Sequence, residues 1–270
     1  MLTPASTRPL TIAVGSQKGG VSKTTTTLSL GACLADNNGA SRRVLLIDLD
    51  PQANLTMALG LNPGTLRRMV GDALLEQSSL LAVSRESAVA NLDLVPANQG
   101  LLMLDKALFG RPNFEYRLKQ QLSRPQAVSY DVALCDCPPA FGTLTLNALT
   151  AADLLIIPVA CEYFAARSLQ QFLELIQLVK NNTNPLLRYR ILITMFDKRN
   201  RISHVIHDQL RAKFGEAVLT TMISIDTKLR ESPVVGQPIT QYAPHSRGAD
   251  DYRALAAEVL HLVSEWTSHG

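Results

Sequence analysis

Short apolar segments alternate with longer segments of helical period along the chain. The short segments are rich in β-branched residues and apolar on both faces, as strands of a parallel sheet covered by helices on both sides must be. The predicted strands cover residues 10–14, 44–47, 92–95, 132–134, 154–159, 191–195 and 218–223. This alternation predicts an α/β fold, a doubly wound, mostly parallel sheet with helices on both faces.

Composition favours one globular domain. Hydrophobic residues make up 46% of the chain and charged residues 18%, which is typical of a protein with a buried core. No repeat, low-complexity stretch or linker divides the sequence, so we predict a flexible tail over residues 1–9 and one domain over residues 10–267. Apolar runs such as 153–161 end well short of the roughly 18 residues of a membrane span, and no leader precedes the first strand. Four cysteines without paired spacing fit a reducing compartment, so we expect a cytoplasmic protein that does not cross a membrane.

Positive charge is concentrated in one part of the C-terminal half. Residues 188–230 contain nine Lys or Arg and four Asp or Glu, whereas the whole chain has a net charge of only +3. A localised basic surface is typical of nucleic-acid binding, although a solvated helix face has the same composition. Charge alone does not choose between these two interpretations.

A glycine-containing loop follows the first predicted strand. Residues 15–25 read GSQKGGVSKTT, and the apolar positions beyond them predict a helix that begins near Thr24. Gly19 and Gly20 allow successive backbone N–H groups to converge on phosphate oxygens, while the helix dipole adds favourable potential. Lys23 would neutralise phosphate charge, and the Thr24 hydroxyl is a candidate ligand of Mg²⁺. The loop therefore predicts a nucleotide phosphate site.

The loop departs from the ordinary P-loop pattern, because Gln17 and Ser22 occupy its glycine positions and a second lysine, Lys18, begins the motif. KGGVSKT resembles the deviant Walker A box of the ParA and MinD ATPases. Most partition ATPases have glycine where this chain has Ser22. The resemblance extends over residues 10–263 and implies a deviant P-loop NTPase that binds ATP and Mg²⁺.

Three aspartates follow predicted strands. Asp48 and Asp50 lie in the segment DLDPQAN, and Asp136 ends the strand that begins at residue 132. Because the carboxyl ends of parallel strands share one edge of a sheet, we expect these carboxylates near the phosphate loop. The resemblance implies that Asp50 orients the attacking water, that Asp48 supports the Mg²⁺ shell and that Asp136 is the Walker B partner of the metal. Family members usually have glycine at Ala53.

The resemblance also assigns the remaining site residues. Lys18, Lys23 and Asp50 would be catalytic, and Thr24, Asp48 and Asp136 would serve the metal. The nucleotide would contact the following residues: Lys18, Gly19, Gly20, Val21, Ser22, Lys23, Thr24, Thr25, Gln52, Glu162 and Met195. Arg199 and Lys228 match basic positions by which family members hold DNA. Ile225 replaces an arginine of the family's loop after the last strand, which leaves the adenine contacts open.

The implied function is that of a partition or positioning ATPase. Two subunits would close around ATP, bind non-specific double-stranded DNA on the nucleoid, and separate after hydrolysis stimulated by a ParB-like or cargo-adaptor protein. The cargo, whether a plasmid, a chromosome origin or a protein body such as a carboxysome, stays open. One alternative is a MinD-like membrane regulator, because residues 252–266 contain an apolar stripe, although its polar face is acidic. A metal-cluster carrier, a biosynthetic enzyme and an inactive scaffold are further alternatives.

Overall fold

The computed structural model describes residues 8–36, 41–162 and 165–268. Most of the predicted tail, residues 1–7, lies outside the described residues. At its end, Arg8 pairs with Asp153 at 2.5 Å and Pro9 is buried. These two residues are therefore held against the sheet.

Eight strands form one sheet. The strands are β1 (Leu10–Val14), β2 (Val44–Asp48), β3 (Arg85–Glu86), β4 (Leu92–Val95), β5 (Val132–Asp136), β6 (Leu154–Ala160), β7 (Arg188–Phe196) and β8 (Val218–Ser224). Their order is β3-β4-β2-β5-β1-β6-β7-β8, and only the β3–β4 pair is antiparallel. The predicted doubly wound, mostly parallel sheet is confirmed.

Helices cover both faces of this sheet. They are α1 (Lys23–Ala35), α2 (Asn54–Ala58), α3 (Val70–Leu74), α4 (Leu80–Val83), α5 (Leu101–Leu108), α6 (Arg117–Leu122), α7 (Thr143–Ala151), α8 (Ala165–Asn182), α9 (Arg201–Phe214), α10 (Lys228–Glu231), α11 (Ile239–Tyr242) and α12 (Arg247–Ser268). Alternate strand residues supply two separate apolar cores: Ala13 belongs to the core under α5, α7 and α8, and Ile12 to the core under α1 and α12. Since both cores are apolar, neither face of the sheet is left to solvent.

Helix α12 buries the apolar stripe on which the membrane alternative depends. Tyr252, Leu255 and Val259 are fully buried against α1 and the sheet, and Val263 is nearly so. Within the described residues, no helix is long and apolar enough to cross a membrane. The stripe is thus explained by packing inside the subunit.

The basic segment 188–230 is divided between two ends of the sheet. Arg188 and Arg190 lie at the start of β7, where both guanidinium groups stack on Trp266 at 4.4 and 5.7 Å. Arg199 follows the other end of this nine-residue strand, roughly 26 Å away at about 3.3 Å per residue. The segment therefore does not form one basic face.

Candidate active site

The carboxyl ends of the central strands border an open cleft. In the register of the sheet, Asp136 lies opposite both Val14 and Asp48, so β1, β2 and β5 end at the same level. The cleft has a volume of about 650 Å³, within the usual range for a small-molecule site. The predicted residues that line it are Gly19, Gly20, Ser22, Lys23, Thr24, Thr25, Asp50, Gln52 and Met195.

Two positions of the phosphate loop have left-handed backbone. Gly20 has φ 74°, and Ser22, which precedes α1, has φ 69°. A Cβ added at Gly19 or Gly20 would meet no heavy atom of another residue within 4 Å, so the space above both glycines opens to the cleft. The Ser22 carbonyl accepts the N–H of Thr26 at 2.9 Å and thereby starts α1. The loop thus directs the helix N-terminus toward the cleft.

Lys23 is the buried cation of the site. Its side chain is largely enclosed, and Nζ donates a hydrogen bond to the Lys18 carbonyl at 2.9 Å. Burial lowers the pKa of Lys23, while the nearby Asp136 carboxylate acts in the opposite direction. The ammonium group is therefore held in position at the base of the loop.

Asp136 joins the end of β5 to the start of α1. Its carboxylate accepts hydrogen bonds from the hydroxyls of Thr24 at 2.7 Å and Thr27 at 3.4 Å. Burial raises the pKa of Asp136 well above the usual range, and the neighbouring Asp48 carboxylate adds to the effect. The donor set beside the cleft is a hydroxyl and a carboxylate, the hard oxygen ligands that Mg²⁺ prefers.

Asp48 has no exposed surface and faces the loop that follows β2. Its Oδ1 accepts the N–H of Asp50 at 3.1 Å, and its Oδ2 accepts the N–H and hydroxyl of Thr56 at 2.9 and 2.7 Å. Burial raises the pKa of Asp48 to about 7. Asp48 does not itself line the cleft, so its predicted role toward the metal stays a prediction.

Asp50 points toward the cleft from a tightly turned loop. The residue is 7% exposed, and Oδ1 accepts the N–H of Gln52 at 2.9 Å. The Asp50 carbonyl accepts the N–H of Ala53 at 2.8 Å, and Ala53 adopts left-handed backbone with φ 55° before α2 begins. Both positions where the family usually has glycine, Ser22 and Ala53, are thus left-handed in this chain.

Lys18 and Glu162 form an ion pair at the surface, away from the cleft lining. Their side chains keep 42% and 55% of their surface exposed. The structure therefore brings the predicted signature lysine to Glu162 of the same chain. Val21 is buried, and its carbonyl accepts the Thr194 hydroxyl at 3.2 Å, so it supports the loop from below.

Met195, the predicted nucleotide contact in β7, is also at the cleft. Met195 has φ 54° and lines the cleft together with α10 and the turn after it. Sequence reasoning did not assign the following cleft residues: Asn54, Met57, Ala58, Pro139, Leu229, Arg230, Pro233 and Val234. Asn54 ends the segment DLDPQAN, where only the carboxylates and Gln52 were singled out. Most of the others belong to short helices and turns whose sequences contain no motif that would indicate a ligand.

The two predicted DNA-binding residues lie beside a second, polar groove. Arg199 lines this groove and pairs with Asp197, while Lys228 follows the groove residue Thr227 and pairs with Glu231 at 2.8 Å. These carboxylates raise the pKa of both basic groups. Lys198 and Arg247 add positive charge to the groove.

Comparison with known proteins agrees with this architecture. A family model described as an AAA domain matches residues 10–189. The sporulation initiation inhibitor protein Soj of Bacillus subtilis is 40% identical over 249 residues, which cover 92% of this chain and 97% of Soj. The chromosome partitioning protein ParA of Myxococcus xanthus is 40% identical over 250 residues, which cover 92% of this chain and 87% of that protein.

A solved structure is similar over nearly the whole chain. Cobyrinic acid a,c-diamide synthase from Mycobacterium smegmatis, with bound ATP analogue and magnesium, has a TM-score of 0.82 and 36% identity, and 97% of each chain is covered. This likeness extends the P-loop NTPase fold through β8 and α12, beyond the region that the family model matches. The chain belongs to the AAA-domain family and, at this level of identity to Soj and ParA, to the ParA/Soj group of partition ATPases.

Proposed function

We propose that this protein is an ATP-hydrolysing partition or positioning protein whose ATP-bound dimer holds non-specific DNA. The observation that carries the proposal is the convergence of the phosphate loop, Lys23, Thr24 and Asp50 on one cleft. A phosphate cradle, a buried cation and a carboxylate are the parts that phosphoryl transfer requires, because the protein's work there is positioning and charge stabilisation.

ATP and Mg²⁺ fit the residues present. Backbone N–H groups at Gly19 and Gly20 would hold phosphate oxygens, with Lys23 beneath them. The Thr24 hydroxyl and the Asp136 carboxylate, joined at 2.7 Å, would hold the metal directly or through water. Mg²⁺ would supply Lewis-acid neutralisation of phosphate charge. It would also compensate the negative charge of the buried carboxylates, whose pKa values burial raises.

Asp50 is the group that would orient water for hydrolysis. It combines access to the cleft with near-complete burial, so that its carboxylate is held in one direction. The Gln52 N–H fixes one oxygen, and the Asp50 backbone is fixed in turn by Asp48. Positioning of this kind accounts for much of the rate enhancement in phosphoryl transfer.

Dimerisation would exchange the partner of Lys18. In the single subunit Lys18 pairs with Glu162 at the surface, where an ion pair contributes at most about 1 kcal/mol. The phosphates of a second subunit's ATP present a larger negative charge and would compete for the ammonium group. Closure of two subunits would also bring two DNA-binding surfaces together and double the number of phosphate contacts, which strengthens DNA binding steeply.

DNA binding would use Arg199 and Lys228 beside the polar groove. Arg199 is 89% exposed in its side chain, so its pair with Asp197 is weak and a DNA phosphate can replace the carboxylate. Contacts of this type are independent of base sequence and sensitive to salt. The nucleoid would therefore be the site of the ATP-bound dimer, and a ParB-like or cargo-adaptor protein would stimulate its release.

Binding to non-specific duplex DNA tests the proposal. We would measure it with ATP, with ADP and without nucleotide over a salt series, for the wild type, Lys18→Ala and Arg199→Glu/Lys228→Glu. Arg111→Glu is the matched charge-reversal control, since Arg111 is exposed and lies outside the cleft and the basic segment. The proposal is supported if DNA binding needs ATP and weakens with salt. Binding should also be lost in Lys18→Ala and in Arg199→Glu/Lys228→Glu but kept in the control.

Absence of DNA binding with every nucleotide would reject the DNA-anchored cycle. ATP-dependent sedimentation with liposomes would then favour the membrane alternative. Phosphate release that requires an added small-molecule co-substrate would instead favour the alternative of a biosynthetic ATPase, since the structurally similar Mycobacterium smegmatis protein is a cobyrinic acid a,c-diamide synthase.

A further inference from the structure

Thr56 is a fully buried polar residue at the junction of three segments around the cleft. Its hydroxyl donates to Asp48 Oδ2 at 2.7 Å and accepts the N–H of Ala97 at 3.0 Å. Its own N–H donates to the same Asp48 oxygen at 2.9 Å. One side chain thus ties the end of β2, the middle of α2 and the segment between β4 and α5.

The Asp48 carboxylate connects this junction to the opposite end of the loop. Oδ2 holds Thr56, and Oδ1 accepts the N–H of Asp50 at 3.1 Å. The carboxylate therefore braces residues 50–56, which comprise the loop after β2 and the first turn of α2, at both ends. Within that loop Ala53 is left-handed, a conformation that persists only where surrounding contacts enforce it.

We propose that Thr56 is a positioning residue for ATP hydrolysis. Its hydroxyl orients the Asp48 carboxylate, which fixes the backbone of Asp50 and hence the direction in which the Asp50 side chain enters the cleft. Thr56 itself is fully enclosed and does not line the cleft. It acts on turnover through Asp48 and leaves nucleotide binding unaffected. The inference rests on the proposed ATPase function and on the role of Asp50 within it.

Removal of the hydroxyl isolates its contribution. Thr56→Val keeps the shape of the side chain but leaves the Ala97 N–H and an Asp48 oxygen short of a partner in a buried site. Thr56→Ser keeps the donor and the acceptor. Thr150→Val is the matched control, because Thr150 is also fully buried and lies in the last turn of α7. Its hydroxyl donates to that of Thr183 at 2.9 Å.

Steady-state ATP hydrolysis gives separate readouts for binding and turnover. For Thr56→Val we expect kcat to fall by about 10- to 100-fold, the effect of a misplaced catalytic group, and KM for ATP to stay within about twofold. Thr56→Ser should restore kcat to within about threefold of the wild type. Thr150→Val should lower thermal stability and leave kcat unchanged.

The outcomes separate this inference from the proposed function. A wild type that hydrolyses no ATP with Mg²⁺ and DNA would overturn the proposed ATPase, and the inference with it. An active wild type together with a folded Thr56→Val of normal kcat would overturn the inference alone, as would equal losses in kcat and ATP affinity. If Thr56→Val does not fold, Thr56→Ser provides the test. A loss of kcat as large as that of Asp50→Ala, in a variant that keeps the hydroxyl, would overturn the inference.

Discussion

The left-handed serine in the phosphate loop gives a direct test of stored backbone strain. Ser22 has φ 69° and ψ 31°, and its side chain makes no capping hydrogen bond to the helix that follows. A left-handed conformation costs an L-residue about 1–2 kcal/mol, and glycine largely avoids this cost. Ser22→Gly should therefore stabilise the folded protein, even though glycine lowers stability at most positions.

The size of the effect follows from two opposing contributions. Relief of the backbone strain stabilises the folded state by about 1–2 kcal/mol. The greater conformational freedom of glycine in the unfolded chain offsets about 0.4–1 kcal/mol of this gain. The net gain of about 0.5–1 kcal/mol corresponds to a rise in Tm of about 1–4 °C for a chain of this size. Ala53 has φ 55° but is only 2% exposed, so Ala53→Gly also loses about 0.8 kcal/mol of buried methyl. We expect its Tm to change little.

Thermal unfolding of the nucleotide-free protein measures both variants. Gly20→Ala is the reverse control: Gly20 has φ 74°, and a Cβ there meets no heavy atom within 4 Å, so conformational strain is the principal cost. Its Tm should fall by about 1–4 °C. A Ser22→Gly variant less stable than the wild type would refute the reasoning. So would an Ala53→Gly variant that gains as much as Ser22→Gly.

Three other measurements address the site and its support. Asp50→Ala should lower kcat at least 100-fold while a fluorescent ATP analogue still binds, and equal loss of binding and turnover would contradict a role in hydrolysis. Tyr252→Phe removes the buried 3.0 Å hydrogen bond to Thr26. It should lower the free energy of unfolding by about 1 kcal/mol and the Tm by about 2–4 °C. An unchanged Tm would mean that this hydrogen bond contributes nothing to stability. Burial raises the pKa of the Cys161 thiol to about 11 and raises that of the Cys137 thiol well above its usual value. Alkylation of the native protein at pH 7.5 should therefore be slow at Cys161 and faster as pH rises. It should be slower still at Cys137, which has no exposed surface. Rapid labelling of Cys137, followed by mass spectrometry, would contradict the burial.

Local pattern predicted the fold and the phosphate loop because both are encoded over short distances. Strand periodicity placed the parallel strands, whereas the two-residue strand β3 is too short to have a period. Lys23 and Thr24, which the loop motif singles out, both line the cleft. The sequence shows that Ser22 and Ala53 stand where the family usually has glycine. The structure is needed to show that both residues have left-handed backbone.

Contacts between distant residues could not be predicted in the same way. Lys18 and Glu162 are 144 positions apart, and Thr56 and Ala97 are 41 apart. The residue types at these positions are common, and no local spacing indicates which ones meet. The charge count likewise indicated a basic segment at residues 188–230. The structure is needed to show that Arg188 and Arg199 lie toward opposite ends of strand β7.

Helix α12 has a consequence for how the protein is made. It covers α1, the helix that begins at the phosphate loop, and completes one apolar core with Leu28 and Leu34. On the order of 210 residues separate the two helices, so at ribosomal rates roughly 10 to 40 s pass between their synthesis. During that interval the part of α1 that packs against α12 is uncovered in the nascent chain. The nucleotide site therefore reaches its native stability late in translation. Until then the unfinished chain exposes apolar surface, and it is the form most prone to aggregation and most in need of chaperones.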